Sequence, residues 1–215
     1  MPAAPAPDFS ALAGDLRDLA ARGELRRSRK GVLLIQEGDL GDTLHIILSG
    51  RLRAFSVGDK DREITYGVYG PGEYLGEMSL DGGRRSASVI TLQASVCAVV
   101  TRHTLESFIA ERPAFAFELM AKVIHRARMA TVSARQLALN DVYGRLKLLL
   151  DAQAQAPQAD GSRVLAERLT HQEMSSRLGC SREMVSRLMK DLERGGYLHD
   201  DGARRVLSRA LPARW

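Results

Sequence analysis

The spacing of apolar residues changes along the chain, and each change marks a different kind of element. Leu12, Leu16 and Leu19 recur at helical intervals between Asp8 and Ala21, ahead of Gly23, and predict a short opening helix. From Gly31 to Val100 short apolar runs (Val32–Ile35, Leu44–Leu48, Val96–Val100) alternate with turns such as Glu37-Gly38-Asp39, Ser49-Gly50, Gly58-Asp59 and Tyr69-Gly70-Pro71-Gly72. That spacing predicts a compact antiparallel barrel or roll. A long helix follows, from Pro113 to about Leu139. In it Met120, Ile124, Ala127, Thr131, Ala134 and Ala138 advance in steps of four and three, a heptad seam. The seam either packs on the chain's own roll or pairs with a second copy. Its small residues and basic flanks, Lys122, Arg126 and Arg128, favour the pair. Asn140-Asp141 interrupts the pattern and sets a domain boundary; Val142 to Gln155 resumes it with Leu146, Leu149 and Leu150, and 156–162 reads as a surface loop.

Residues 170–190 read as a helix, a tight turn and a second helix. Leu169, Met174 and Leu178 form one apolar face, and Val185, Leu188, Met189 and Leu192 form another. Gly179 sits where the chain must reverse, a place for a residue tolerant of positive φ. Ser181 then caps the second helix. Arg182, Glu183 and Arg187 follow on its exposed N-terminal half. Arginine can pair bidentately with guanine O6 and N7, and glutamate can accept from cytosine N4, so this placement fits a helix that reads base edges. A plain helical hairpin with a solvated charged face has the same pattern. The residues beyond favour the reader: after Gly195-Gly196, Tyr197-Leu198 and Arg205–Leu207 predict two short strands around an Asp200-Asp201-Gly202 turn. That adds a wing, with Arg204 and Arg205 near the phosphate backbone.

At 215 residues the chain suits one large domain or two small ones, and its 45% apolar and 27% charged content is ordinary for a globular protein. A net charge of +5 fits an anionic partner. Only Cys97 and Cys180 are present, too few for a disulfide framework or a metal cluster, which points to a reducing compartment. The Pro- and Ala-rich start, Met1 to Pro7, lacks the pattern of a signal peptide, and no apolar run nears the roughly 20 residues a membrane span needs. The expected location is the cytoplasm. No phosphate loop or nucleophile–base arrangement suggests an enzyme.

One more segment carries chemistry: Gly72 to Leu80, then Asp81-Gly82-Gly83-Arg84-Arg85-Ser86-Ala87. Glu77 beside Gly76, amides opening a short helix and an Arg-Ser pair make a plausible cradle, guanidinium and amides for a phosphate and carboxylate for a ribose hydroxyl. Equally, Arg84-Arg85 is a solvated turn with Glu77 its ion-pair partner.

The order of these features decides. A Gly-rich roll with Gly76-Glu77 and Arg85-Ser86-Ala87, a long seam helix, then Gly179-Cys180-Ser181-Arg182-Glu183 with Val185 and Arg187, resembles the cyclic AMP receptor protein (CRP/FNR) family from about residue 31 to 207. The resemblance implies an α+β fold: an N-terminal jelly-roll-like double-stranded β-helix that binds a cyclic nucleotide (residues 1–112), a dimerisation helix (113–139) and a C-terminal winged helix-turn-helix (140–215). It implies a homodimeric transcription regulator with cAMP as allosteric effector and no metal. Gly76, Glu77, Met78, Arg85, Ser86, Ala87 and Thr131 would hold the nucleotide, with Glu77 on the ribose and Arg85 on the phosphate. Thr170, Ser181, Arg182, Glu183, Ser186, Arg187 and Lys190 would meet double-stranded DNA at a TGTGA-like inverted repeat. RNA polymerase would be a further partner. Where the family has a Thr-Ser pair on the long helix, this chain has Ala130-Thr131, which removes one adenine contact. The cysteines of the iron–sulfur relatives are missing, and His45 and His103 read as strand and surface histidines rather than haem ligands. The alternative is the same DNA-binding regulator acting without cAMP, constitutively or with cGMP or cyclic di-GMP.

Overall fold

The computed structural model describes residues 9–10, 12, 14–59, 62–202 and 204–215. The Pro-rich start, Met1 to Pro7, and the Asp8 end of the expected opening helix lie outside the described residues. What is described divides into two compact units: residues up to Ser56 with Thr65–Arg128, and Val57–Ile64 with Met129–Trp215.

The first unit opens with α1 (Gly14–Ala21). The strands β1 (Glu24–Ser28), β2 (Leu33–Ile35), β3 (Thr43–Ser49), β4 (Leu52–Val57), β5 (Glu63–Tyr69), β6 (Tyr74–Leu75), β7 (Ser88–Thr91) and β8 (Ser95–Thr101) form two sheets, ordered β1-β8-β3-β6 and β2-β7-β4-β5. Strand β3 pairs antiparallel with β8 on one side and β6 on the other, and β7 pairs antiparallel with β2 and β4. The inner faces meet in a core of Ile35, Ile47, Leu52, Ala54, Leu75, Val89 and Cys97. On the outer face of the first sheet Leu44, Ile46, Leu48, Ala98 and Val100 pack with Leu12, Leu19, Leu105, Phe108 and Phe115. That is why Leu44–Leu48 reads as an unbroken run: β3 is buried on both faces. His45 shares the inner face and is 7% exposed; burial, with Arg85 and Arg26 nearby, lowers its pKa to about 4.

The helix α2 (Arg102–Glu111) is absent from the sequence reading. It starts directly on the last strand residue, with the Thr101 hydroxyl accepting from the Thr104 amide. Next comes α3 (Ala114–Leu139). Phe115 is buried edge-on against Phe108, ring centroids 5.3 Å apart. The heptad seam lies on a different face: Met120, Ile124, Ala127, Thr131, Ala134 and Ala138 are all exposed. Within the first unit the face turned to its own chain is instead Phe115, Leu119, Lys122 and Arg126.

The second unit contains α4 (Val142–Gln153), β9 (Arg163–Val164), α5 (His171–Leu178), α6 (Arg182–Arg194), β10 (Leu198–Asp200) and β11 (Arg205–Leu207). Its core is Tyr143, Leu146, Leu150, Leu165, Leu169, Met174, Leu178, Val185, Met189, Leu192, Leu198, Leu207 and Leu211. The wing has three strands, ordered β10-β11-β9, not the two expected. Cys97 is 3% exposed in the roll, and Cys180 is partly exposed in the α5–α6 turn. Among the described residues no helix is long and apolar enough to cross a membrane.

Candidate ligand cradle and nucleic-acid interface

In the roll, β6 ends at Gly76, whose φ of 98° opens a 3-10 turn over Glu77–Ser79. Any side chain at 76 would be strained and would run into the Thr43 carbonyl and the Arg85 guanidinium, so glycine is required there. The turn drops the Glu77 side chain into the interior, where it is 2% exposed. One carboxylate oxygen is ion-paired with Arg126 of α3; the other, Oε2, is buried with no hydrogen-bond partner among the described residues. Arg126 also donates to the Tyr74 carbonyl at 2.6 Å and lies over the rings of Tyr69 and Tyr74, 4.9 and 5.7 Å from their centroids. The sequence reading treats Arg126 as a basic flank of the seam. Its signal was the four-residue step from Lys122, which puts both on the face of Phe115 and Leu119.

Arg85 is 8% exposed and is held from all sides. Its Nη1 donates to the carbonyls of Thr43 and Gly76, both at 3.0 Å, and to the Ser79 hydroxyl at 2.8 Å; its Nη2 donates to Thr43 Oγ1 at 2.8 Å. Gly41 makes room for it, since a Cβ there would strike Nε. Burial pulls the guanidinium below its ordinary pKa, opposed by Asp42 and Glu77, and it stays charged. Of its five N–H groups, Nε–H makes no hydrogen bond among the described residues, which leaves an edge for an anionic oxygen. The Ser86 hydroxyl is exposed and donates to Met78 Sδ at 3.6 Å; Met78 is 56% exposed and Ala87 packs against the roll core. Gly76, Glu77, Met78, Arg85, Ser86 and Ala87 therefore sit together, while Thr131 lies exposed on the part of α3 that belongs to the second unit. The solvated-turn reading fits Arg84, whose exposed side chain donates to the Gly38 carbonyl, and fails for Arg85.

In the second unit the helix pair forms through its caps. Thr170 and Glu173 make a full capping box at the start of α5, with Glu173 Oε2 accepting from the Thr170 amide at 2.7 Å and from its hydroxyl at 2.8 Å. Gly179, at φ 64°, ends α5, and the Ser181 hydroxyl accepts the Met184 amide at 3.2 Å to start α6. Val185, Met189 and Leu192 are buried at 0–1% exposure, which turns Arg182, Glu183, Arg187 and Lys190 outward. Glu183's own amide and the Ser181 hydroxyl hold its carboxyl below the usual range, so it is an acceptor at neutral pH. Thr170 and Ser181 use their hydroxyls in the caps, and Ser186 is bonded to His171.

The wing requires a correction. Arg205 is not on the open face with Arg204; it is half-buried and donates to the Leu169 carbonyl at 2.9 Å, just ahead of the α5 cap. That carbonyl sits one residue outside the helix and needs a donor, which draws the guanidinium inward.

Two family models match the chain, a cyclic nucleotide-binding domain over residues 25–112 and a Crp-like helix-turn-helix domain over residues 145–211. A CRP-like cAMP-activated global transcriptional regulator of Mycobacterium tuberculosis is 30% identical over 182 residues, 83% of this chain and 81% of that protein. The CRP-like protein Clp of Xanthomonas euvesicatoria is 29% identical over 212 residues, 94% of this chain and 91% of the relative. The solved structure of the c-di-GMP responsive global regulator CLP of Xanthomonas campestris superposes with a TM-score of 0.78 at 27% identity, covering 90% of this chain and 98% of that one. The roll lies within the range of the first model and the capped helix pair within that of the second, and with the CRP-like relatives these matches show the family: the chain belongs to the CRP/FNR family.

Proposed function

We propose that the chain is a homodimeric, sequence-specific transcription regulator whose effector is a cyclic mononucleotide, cAMP, and whose DNA site is a TGTGA-like inverted repeat. The observation that carries the effector is Glu77 Oε2, a buried carboxylate oxygen with no partner among the described residues, close enough to the Arg85 guanidinium to act on its charge. An unpaired buried acceptor is costly, and a ribose hydroxyl satisfies it while the cyclic phosphate meets the guanidinium edge. Such a ligand works as a switch only by preferring the DNA-competent state, since equal affinity for both states shifts nothing. Domains at 1–112, 113–139 and 140–215 divide the work into effector binding, pairing and reading. The exposed seam of α3 supports the pairing, and the outward set Arg182, Glu183 and Arg187 supports the half-site. RNA polymerase and a cytoplasmic location complete the reading by family likeness.

A second reading keeps the DNA work and changes the ligand to cGMP or cyclic di-GMP, or dispenses with one. It is favoured by Ala130, which lacks a hydroxyl, and by the four hydrogen bonds that already hold Arg85. Isothermal titration of the full chain with cAMP, cGMP and cyclic di-GMP separates the two. The expected result is saturable cAMP binding that Glu77→Gln weakens at least about tenfold, the loss of roughly one charged hydrogen bond. Saturation by cyclic di-GMP alone, or by none of the three, transfers the conclusion to the second reading.

A further inference from the structure

His171 is the first residue of α5, and its Nδ1 lies 2.8 Å from the hydroxyl of Ser186 in the middle of the recognition helix. The contact ties the two helices together through two partly buried side chains, the serine next in the chain to the buried Val185. It also commits Ser186: with the ring neutral and its proton on Nε2, the serine hydroxyl donates to Nδ1 and is turned from the groove. The far nitrogen, Nε2, has no partner among the described residues. The charged groups that act on the ring are Arg205 from β11 and Arg182 and Glu193 from α6. Burial comes first among the causes that lower its pKa, and the two arginines outweigh the one glutamate.

We infer that His171 is a positioning and phosphate-contacting residue of the DNA interface: it holds Ser186 out of base reading and, once DNA is bound, takes up a proton as Nε2 donates to a backbone phosphate. The charge balance gives the direction. In the free protein burial, and after it the cationic neighbours, favour the neutral imidazole; a duplex brings phosphates against Arg182 and the ring, and negative charge favours the imidazolium. The protonated ring donates from both nitrogens, to Ser186 and to phosphate, so proton uptake strengthens both contacts. Because the bound pKa lies above the free one, affinity rises as pH falls through the bound value and levels off below the free value.

The inference rests on the DNA-reading assignment of α6, and its test separates the two. Fluorescence anisotropy of the full chain is followed from pH 8 to pH 5.5 with a TGTGA inverted-repeat duplex and with a scrambled duplex of equal length at low salt. The wild-type chain is expected to bind both more tightly as pH falls, with a slope below the one-proton limit of tenfold per pH unit. In His171→Gln the slope flattens and binding stays at the weak, high-pH level; in His171→Arg it flattens at the tight level. Ser186→Ala is expected to keep the wild-type ratio between the two duplexes. Imidazole resonances of the unmutated chain provide a readout that needs no variant, with the His171 titration midpoint moving up when DNA is added. A His171→Gln slope equal to wild type, an unmoved midpoint, or loss of duplex preference in Ser186→Ala overturns the inference. Equal affinity of the wild-type chain for both duplexes, with the His171-dependent slope intact, instead overturns the base-reading assignment and leaves the proton-linked phosphate contact of His171 standing.

Discussion

Glu77 and Arg126 show what a pair of side chains does when neither can reach water freely. Their side chains are 2% and 15% exposed, and a carboxylate in such a place is tolerated only because the guanidinium neutralises it. Arg126→Ala removes the cation and leaves the acid buried, so the chain should lose about 3 kcal/mol of stability, the usual cost of breaking a buried pair on one side. Glu77→Gln on top of it should return most of that loss, because the uncompensated charge is gone. Urea unfolding of the two single variants and the double variant measures the coupling. A loss within 0.5 kcal/mol for Arg126→Ala, a magnitude ordinary for surface substitutions, would show that water already solvates the carboxylate. The same residue then has two duties, keeping the cradle charge-balanced and anchoring α3 to the Tyr74 carbonyl and the two tyrosine rings.

At the scale of elements, α6 is a helix whose two faces are assigned by burial: Val185, Met189 and Leu192 inward, Arg182, Glu183, Arg187 and Lys190 outward. Arg182→Ala or Glu183→Ala should abolish discrimination between matched and mismatched half-sites while salt-sensitive nonspecific binding remains, because neither residue supports the fold. Competition gel shifts at two salt concentrations check this; a retained half-site preference in both variants would remove them from base reading. This helix pair was legible in the sequence because its signals are local. Gly179 needs a left-handed φ, Ser181 and Thr170 are caps, and the apolar spacing fixes the inner face. Elements held by distant partners were not. The strand β1, Glu-Leu-Arg-Arg-Ser, has no apolar alternation, since it is an edge strand exposed along most of its length and defined only by pairing with β8. The helix α2 is missing from the sequence reading because no turn residue separates it from the preceding strand: Thr101 ends one element and caps the next. In the cradle, Glu77 and Arg85 could be found from Gly76 and the turn chemistry. Arg126 and Thr43 could not, because Arg126 lies 49 positions from Glu77 and Thr43 lies 42 from Arg85, over a path that only the folded roll defines.

At the scale of the whole molecule, a 26-residue helix keeps one face for its own chain and leaves an apolar and small-residue seam exposed. Met120 and Ile124 are 48% and 50% exposed, an uncommon placement for large apolar residues arranged in register along one helix. If two copies close over this seam, Ile124→Glu sets like charges face to face in it and should shift the chain from dimer to monomer at micromolar concentration. Sedimentation velocity reads the change directly, and a dimer of unaltered stability would place the pairing surface elsewhere. The location of the two thiols gives a practical way to watch such a molecule at work. Cys97 is sealed in the roll and burial pushes its thiol up to about 11, whereas Cys180 is partly open at the bend before the recognition helix. A maleimide dye added to the folded chain should therefore attach at that bend and leave the effector half unmarked. A single fluorophore would then report DNA engagement without any engineered cysteine.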